Sequence, residues 1–331
     1  MKRFIVAALL LATPAFATPT STPTPGVVTG TGTNVSLVAP EGDIGVLVRA
    51  AMESARSGSN DNLDKAIRLG ERSVEALPFL EPYSHDNNGT VRFAVVMIVE
   101  EAHSRRALRL LSNLLDGSDV DQHVLTALAV YSRTELAQWG GQALHRRLLR
   151  VARRTEGELN LEAPSTLALL LAFPDARTKS LLGMLSRKTA SSSPNSDFTL
   201  PMAPLPFVAN LMLAELGDHN ARTRLWAELA RNHTNERVWL CQMTPFIQSR
   251  TLLLMMPLLL DDARPVKRNA MYVMTTKGCI EQDEPPTRLC DVAHAALEAK
   301  MIGQSRWGWM GRAKPAELQA TQTHFTQWLN S

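Results

Sequence analysis

Two arginine clusters carry the clearest chemical signal in this 331-residue chain. Arg105, Arg106 and Arg109 fall in one amphipathic stretch, and His145, Arg146, Arg147, Arg150, Arg153 and Arg154 fall in a later one. Arg146, Arg150, Arg153 and Arg154 recur at three- and four-residue steps, which on a helix puts most of them on one face. A guanidinium grips carboxylate or phosphate groups through paired hydrogen bonds. Arg105, Arg106, Arg109, Arg146, Arg150, Arg153 and Arg154 are therefore the candidate partner-binding residues. They suit an acidic protein, anionic lipid headgroups or cell-wall polymers. The competing reading is a solvated face balanced by nearby glutamates.

Other chemistry is sparse. The sequence contains no HExxH, no GxSxG, no phosphate-cradling P-loop and no GxGxxG after a strand. The densest run of metal-ligand types is Asp119-Val120-Asp121-Gln122-His123. Aspartates in a turn more simply cap the following helix. Glu100 and Glu101 are adjacent, so on a helix they point in different directions and make a poor acid–base pair. No catalytic residue, metal or cofactor is expected. Cys279 and Cys290 flank the turn-rich segment IEQDEPPTRL and are expected to form a disulfide in an oxidising compartment. Cys241, within VWLCQM, reads as a buried thiol.

The compartment follows from the first residues. Lys2 and Arg3 precede a short apolar run over Phe4–Ala12, and Ala15-Phe16-Ala17 has the small-x-small form of a cleavage site. Residues 1–17 thus read as a bacterial secretory signal peptide, too short to span a bilayer. Periplasmic or secreted localisation follows, with no transmembrane segment once the signal is removed. Without Lys2 and Arg3 the balance is 33 basic against 32 acidic residues. That near-neutrality argues against a general nucleic-acid binder.

The elements that must position the arginines are helices. Apolar content is 45% and aromatic content 5%, with Leu, Ala and Met dominant, which favours helix over sheet. Thr18–Gly42, rich in Thr, Pro and Gly, reads as a flexible leader. Helical periodicity begins near Asp43, and pairs of amphipathic helices follow. In the sharpest pair, Leu252, Leu253, Met256, Leu259 and Leu260 recur at helical spacing. Asp261–Pro265 interrupts the run, and a second helix is expected through Val266, Ala270, Val273 and Met274. Such a pair cannot bury its apolar face alone and needs neighbours like itself.

These units resemble HEAT repeats. Leu258–Leu260, Asp261, Asp262, Pro265, Val266 and Lys267 match that family's pattern: a Leu-rich first helix, an Asp or Pro turn, then a second helix opening with Val and a basic residue. Val91-Arg92 after Asp86 and Leu114-Leu115-Asp116 match in part, and Asn210–Ala221 looks like a junction between repeats. The resemblance covers residues 62–277. It implies an all-α fold, a right-handed α-solenoid of stacked hairpins over 43–277. A polar loop inserts at 189–206, and capping helices occupy 278–331, where Trp307, Trp309 and Trp328 are expected to pack. The implied function is an exported, non-catalytic scaffold that binds a protein partner in the cell envelope. Alternatives are a periplasmic inhibitor or immunity-type protein that blocks a toxin or hydrolase, and a helical enzyme acting on a glycan or wall polymer. The low aromatic content disfavours the last.

Overall fold

The computed structural model describes residues 43–58, 62–115, 120–154, 162–188, 205–231, 234–266, 271–275, 278–282, 287–303 and 312–331. The expected signal peptide and leader, residues 116–119, the expected 189–206 insertion up to residue 204, Trp307 and Trp309 lie outside them.

Helices dominate. In chain order they are α1 (Ile44–Ser57), α2 (Asn62–Gly70), α3 (Ser73–Leu80), α4 (Gly89–Val99), α5 (Arg105–Leu114), α6 (Asp121–Leu128), α7 (Arg133–Glu135) and α8 (Gly141–Arg154). Then follow α9 (Glu162–Leu170), α10 (Ala176–Leu185), α11 (Leu205–Glu215), α12 (His219–Ala230), α13 (Thr234–Met243), α14 (Arg250–Leu253), α15 (Leu289–Met301) and α16 (Pro315–Asn330). Short polar side chains set many of the starts. Ser104 Oγ accepts from the Ala107 N–H at 3.1 Å, Asp175 from Thr178 at 2.9 Å and Asp218 from Ala221 at 2.8 Å. Each satisfies an N–H that the first turn leaves open.

The helices α4, α6, α9, α11, α13 and α15 each touch the next, while α5, α8 and α10 pack beside α6, α9 and α11. Enclosed by this row, α11 is buried at every position from Phe207 to Ala214. A helix with neighbours all round must be apolar all round. Several side-chain hydrogen bonds between elements span similar separations. Arg154 to Asp121 and His145 to Thr178 each span 33 residues, Arg147 to Asn113 spans 34, and Gln248 N–H to Glu215 spans 33.

Two glycines seat the arginine-bearing helix. Leu136–Gly140 forms a π-turn, and Gly141 leaves it at φ 54°, ψ −153°, a conformation essentially restricted to glycine. A Cβ on Gly140 would lie 2.5 Å from Leu144 Cδ2 and 3.2 Å from Leu108 Cδ2. The Gly140-Gly141 step thus lets α8 close against α5.

Several expectations change. The first helix of the Thr251–Lys277 pair is α14 followed by a 3-10 turn at Met256–Leu259, because Pro257 lacks the N–H a continuing helix requires. Among the described residues of the expected second helix, Val273 and Met274 lie on a strand instead, and Ala270 lies outside them. Val266 donates to the Thr287 carbonyl at 2.7 Å, and the chain then forms an antiparallel hairpin, β1 (Met271–Thr275) with β2 (Gly278–Gln282). Tyr272, Val273, Thr275 and Ile280 are strand-favouring types. The Cys279–Cys290 disulfide is also absent, since Cys290 is a free thiol buried in the first turn of α15. Its backbone N–H is bound to the Asp262 carbonyl at 2.9 Å, which fixes that turn against the core. Cys241 is buried as expected, and burial raises its thiol pKa.

Asp262 joins three elements. It accepts from Arg237 of α13 at 2.8 Å and from Arg264, and its backbone carbonyl holds α15. The Arg264 side chain does most to hold the Asp262 carboxyl at about 2; the Arg264 N–H and Arg237 assist, and burial opposes them. The unfolded value is near ~3.9, so the folded state gains stability above pH ~4 and loses it as pH falls toward 2. The difference corresponds to about 2–3 kcal/mol. Urea unfolding of wild type and Asp262→Asn at pH 6 and pH 2.5 should show a gap that falls to about a third at the lower pH. A gap independent of pH would remove the carboxylate as its source.

Candidate anion-binding site

Helix α8 is cleanly two-faced. Leu144, His145, Leu148, Leu149, Val151 and Ala152 are buried, while Arg146, Arg150, Arg153 and Arg154 are exposed. Those four guanidiniums and Arg177 of α10 line a groove of about 550 Å³ with Leu149 in its wall. Among the described residues, no carboxylate is in the lining. Arg154 is anchored from behind by Asp121 of α6, at 2.5 Å, and Asp121 is itself 1% exposed. The Arg146 Nε–H donates to the Gln142 carbonyl at 3.3 Å.

A buried histidine sets the spacing between α8 and α10. His145 Nε2 lies 2.9 Å from Thr178 Oγ1, and the ring stacks on Phe173 with centroids 4.8 Å apart. Nδ1 is 3.6 Å from Asp175 Oδ2, beyond hydrogen-bond reach. Burial lowers the His145 pKa; Asp175 opposes this and Arg177 reinforces it. Burial pushes Asp175 the other way, but the Thr178 N–H and His145 outweigh it and leave the carboxyl below its ordinary value. A neutral His145 therefore keys the N-terminal turn of α10 to α8. That contact brings Arg177 opposite the α8 arginines.

The two sequence clusters do not share this groove. Arg105, Arg106 and Arg109 are exposed on α5, outside the lining, and Arg106 lies 3.8 Å from Glu81. Helix α8 meets α5 through Arg147, which donates to Ser112 Oγ at 3.0 Å and Asn113 Oδ1 at 2.8 Å. Arg177 is the residue that sequence reasoning missed. Its only local mark is its place two residues after the capping Asp175; what recruits it is the contact between residues 33 apart.

Among the described residues, no group of three or more His, Cys, Asp or Glu is placed to hold a metal, and no helix is long and apolar enough to cross a membrane. Asp121, expected to cap the following helix, sits in the first turn of α6 and pairs with Arg154. No family model matches the chain, and no curated protein or solved structure is significantly similar to it.

Proposed function

We propose that this chain is an exported binding protein, a HEAT-like α-solenoid that engages an anionic macromolecular partner through the α8–α10 groove. The observation that carries this reading is the convergence of five guanidiniums on one groove, with no carboxylate among its described lining residues, in a chain whose formal net charge is only +3. Several inter-element hydrogen bonds of similar separation support the solenoid, and the first 17 residues support export to the periplasm or beyond. Blockade of a toxin or hydrolase is the second reading. The same convergence favours it, because inhibitors concentrate affinity in a few anchors and Arg is a preferred one.

Envelope extract passed over the wild-type protein and over an Arg146→Glu, Arg150→Glu, Arg153→Glu variant tests the proposal. Each lost charged hydrogen bond costs about 1.5–3 kcal/mol, so a stoichiometric partner should bind at least ~100-fold more weakly to the variant. Equal retention would show the groove to be a solvated face. Lack of any partner, together with turnover of a wall polymer, would replace the binding reading with the enzymatic one.

A further inference from the structure

A second concavity, of about 730 Å³, lies further along α10, between that helix and the α11–α12 turn. Its lining differs in kind from the arginine groove. Lys179, Arg187 and Arg224 supply positive charge, while Met184, Leu213 and Leu216 supply apolar surface. Asp218 is the acidic lining residue, and its Oδ1 already accepts from the Ala221 N–H at 2.8 Å. Met184 is 43% exposed.

Helix α10 joins the two concavities. Arg177 lines the first, and Ser180 and Met184 line the second. Their steps of three and four residues put them on one helical stripe. At 1.5 Å per residue, Arg177 and Met184 are separated by about 10 Å along the axis. An extended peptide covers that distance in about three residues.

Resting on the binding reading above, we infer that the partner presents an extended acidic peptide whose carboxylates enter the arginine groove and whose apolar side chain, about three residues away, sits against Met184 and Leu216. Charge complementarity selects the acidic run. Met184 and Leu216, the accessible apolar side chains in an otherwise polar lining, select a peptide over a polyphosphate, which has nothing to bury there. The Ser180 and Ser186 hydroxyls beside it are suited to hydrogen bonds with an extended backbone.

Fluorescence anisotropy on the full chain tests this with labelled peptides of four glutamates and a leucine three positions before or after the run. Comparison probes are the same peptides with serine for leucine, a polyphosphate of equal charge, and phosphatidylglycerol vesicles. One leucine peptide should bind wild type about tenfold tighter than its serine counterpart, as burial of one such side chain allows. Met184→Ser, an exposed change, should abolish that preference, and Arg146→Glu with Arg150→Glu should weaken both peptides by at least tenfold. Equal binding of leucine and serine peptides would overturn the peptide inference. So would polyphosphate or vesicle binding that is tighter and indifferent to Met184→Ser. Both outcomes leave the groove standing. Binding of every probe unchanged by the arginine reversals would overturn the groove reading itself.

Discussion

Glu215→Gln is expected to destabilise the protein by about 3–5 kcal/mol, the cost of leaving buried charge without its partner. Glu215 ends α11 with its side chain 2% exposed. One carboxylate oxygen accepts from Arg133 at 2.8 Å and from the Gln248 N–H at 2.8 Å, and the other accepts from the Ser249 N–H at 2.9 Å. Arg133 also reaches the Phe246 carbonyl at 2.5 Å, and Lys300 Nζ reaches the Pro245 carbonyl at 3.1 Å. Burial lowers the Lys300 pKa; Glu215 pulls it back up, and Arg133 opposes that pull. Removing the Glu215 charge therefore leaves two cations facing backbone carbonyls, with no anion among them. Glutamine can still accept at one oxygen, but its NH2 must face a backbone N–H, so a bond is lost as well. Chemical denaturation of Glu215→Gln, Arg133→Gln and the double variant measures the coupling. The double variant should lose clearly less than the sum of the singles. Additive losses, or a single loss under about 1 kcal/mol, would mean that water screens the site.

Phe325→Ala should release the terminal helix. Phe325 is fully buried and stacks on Trp328 with centroids 5.5 Å apart. Around it α16 is held to α15 by Thr321, whose hydroxyl donates to Glu298 at 2.8 Å and lies 2.8 Å from His294 Nδ1. Arg250 adds a bond to Asn330 at 2.6 Å. Truncating a buried phenylalanine costs about 3–5 kcal/mol. A 16-residue helix is marginal when detached in water, so undocking α16 also unfolds it. Hydrogen exchange should rise sharply over Pro315–Asn330 while α9 and α11 keep their protection. Uniform loss of protection across α9, α11 and α16 would show that the terminal helix unfolds only with the rest.

The helices themselves were largely legible, because helix boundaries obey local rules. Helices were expected within 278–331, where α15 and α16 lie, and a junction over Asn210–Ala221, where Gly217-Asp218 turns the chain into α12. Gly217 adopts φ 88°, so the Asp218 N–H reaches the Leu213 carbonyl at 2.9 Å while the Asp218 side chain caps α12. Each of these contacts lies within a few residues. The sharpest sequence pattern misled for a related reason. Val266, Val273 and Met274 fit a helical period, but Tyr272, Val273 and Thr275 equally favour a strand, and a backbone bond from Val266 to the distant Thr287 went with the extended form.

By itself the sequence determined the helical class, most helix boundaries, and the arginine face of α8, since periodicity, capping and side-chain direction act over one or two turns. Only the tertiary structure decided which arginines meet. Arg177 joins Arg146, Arg150, Arg153 and Arg154 because the buried His145 docks on Thr178, 33 residues away. Arg105, Arg106 and Arg109 stay outside because α5 meets α8 through Arg147 rather than through them. Cys290 remains a thiol because its turn is held inward by Asp262. In each case the outcome turns on which faces of distant helices bury one another, a choice made by packing between elements far apart in sequence.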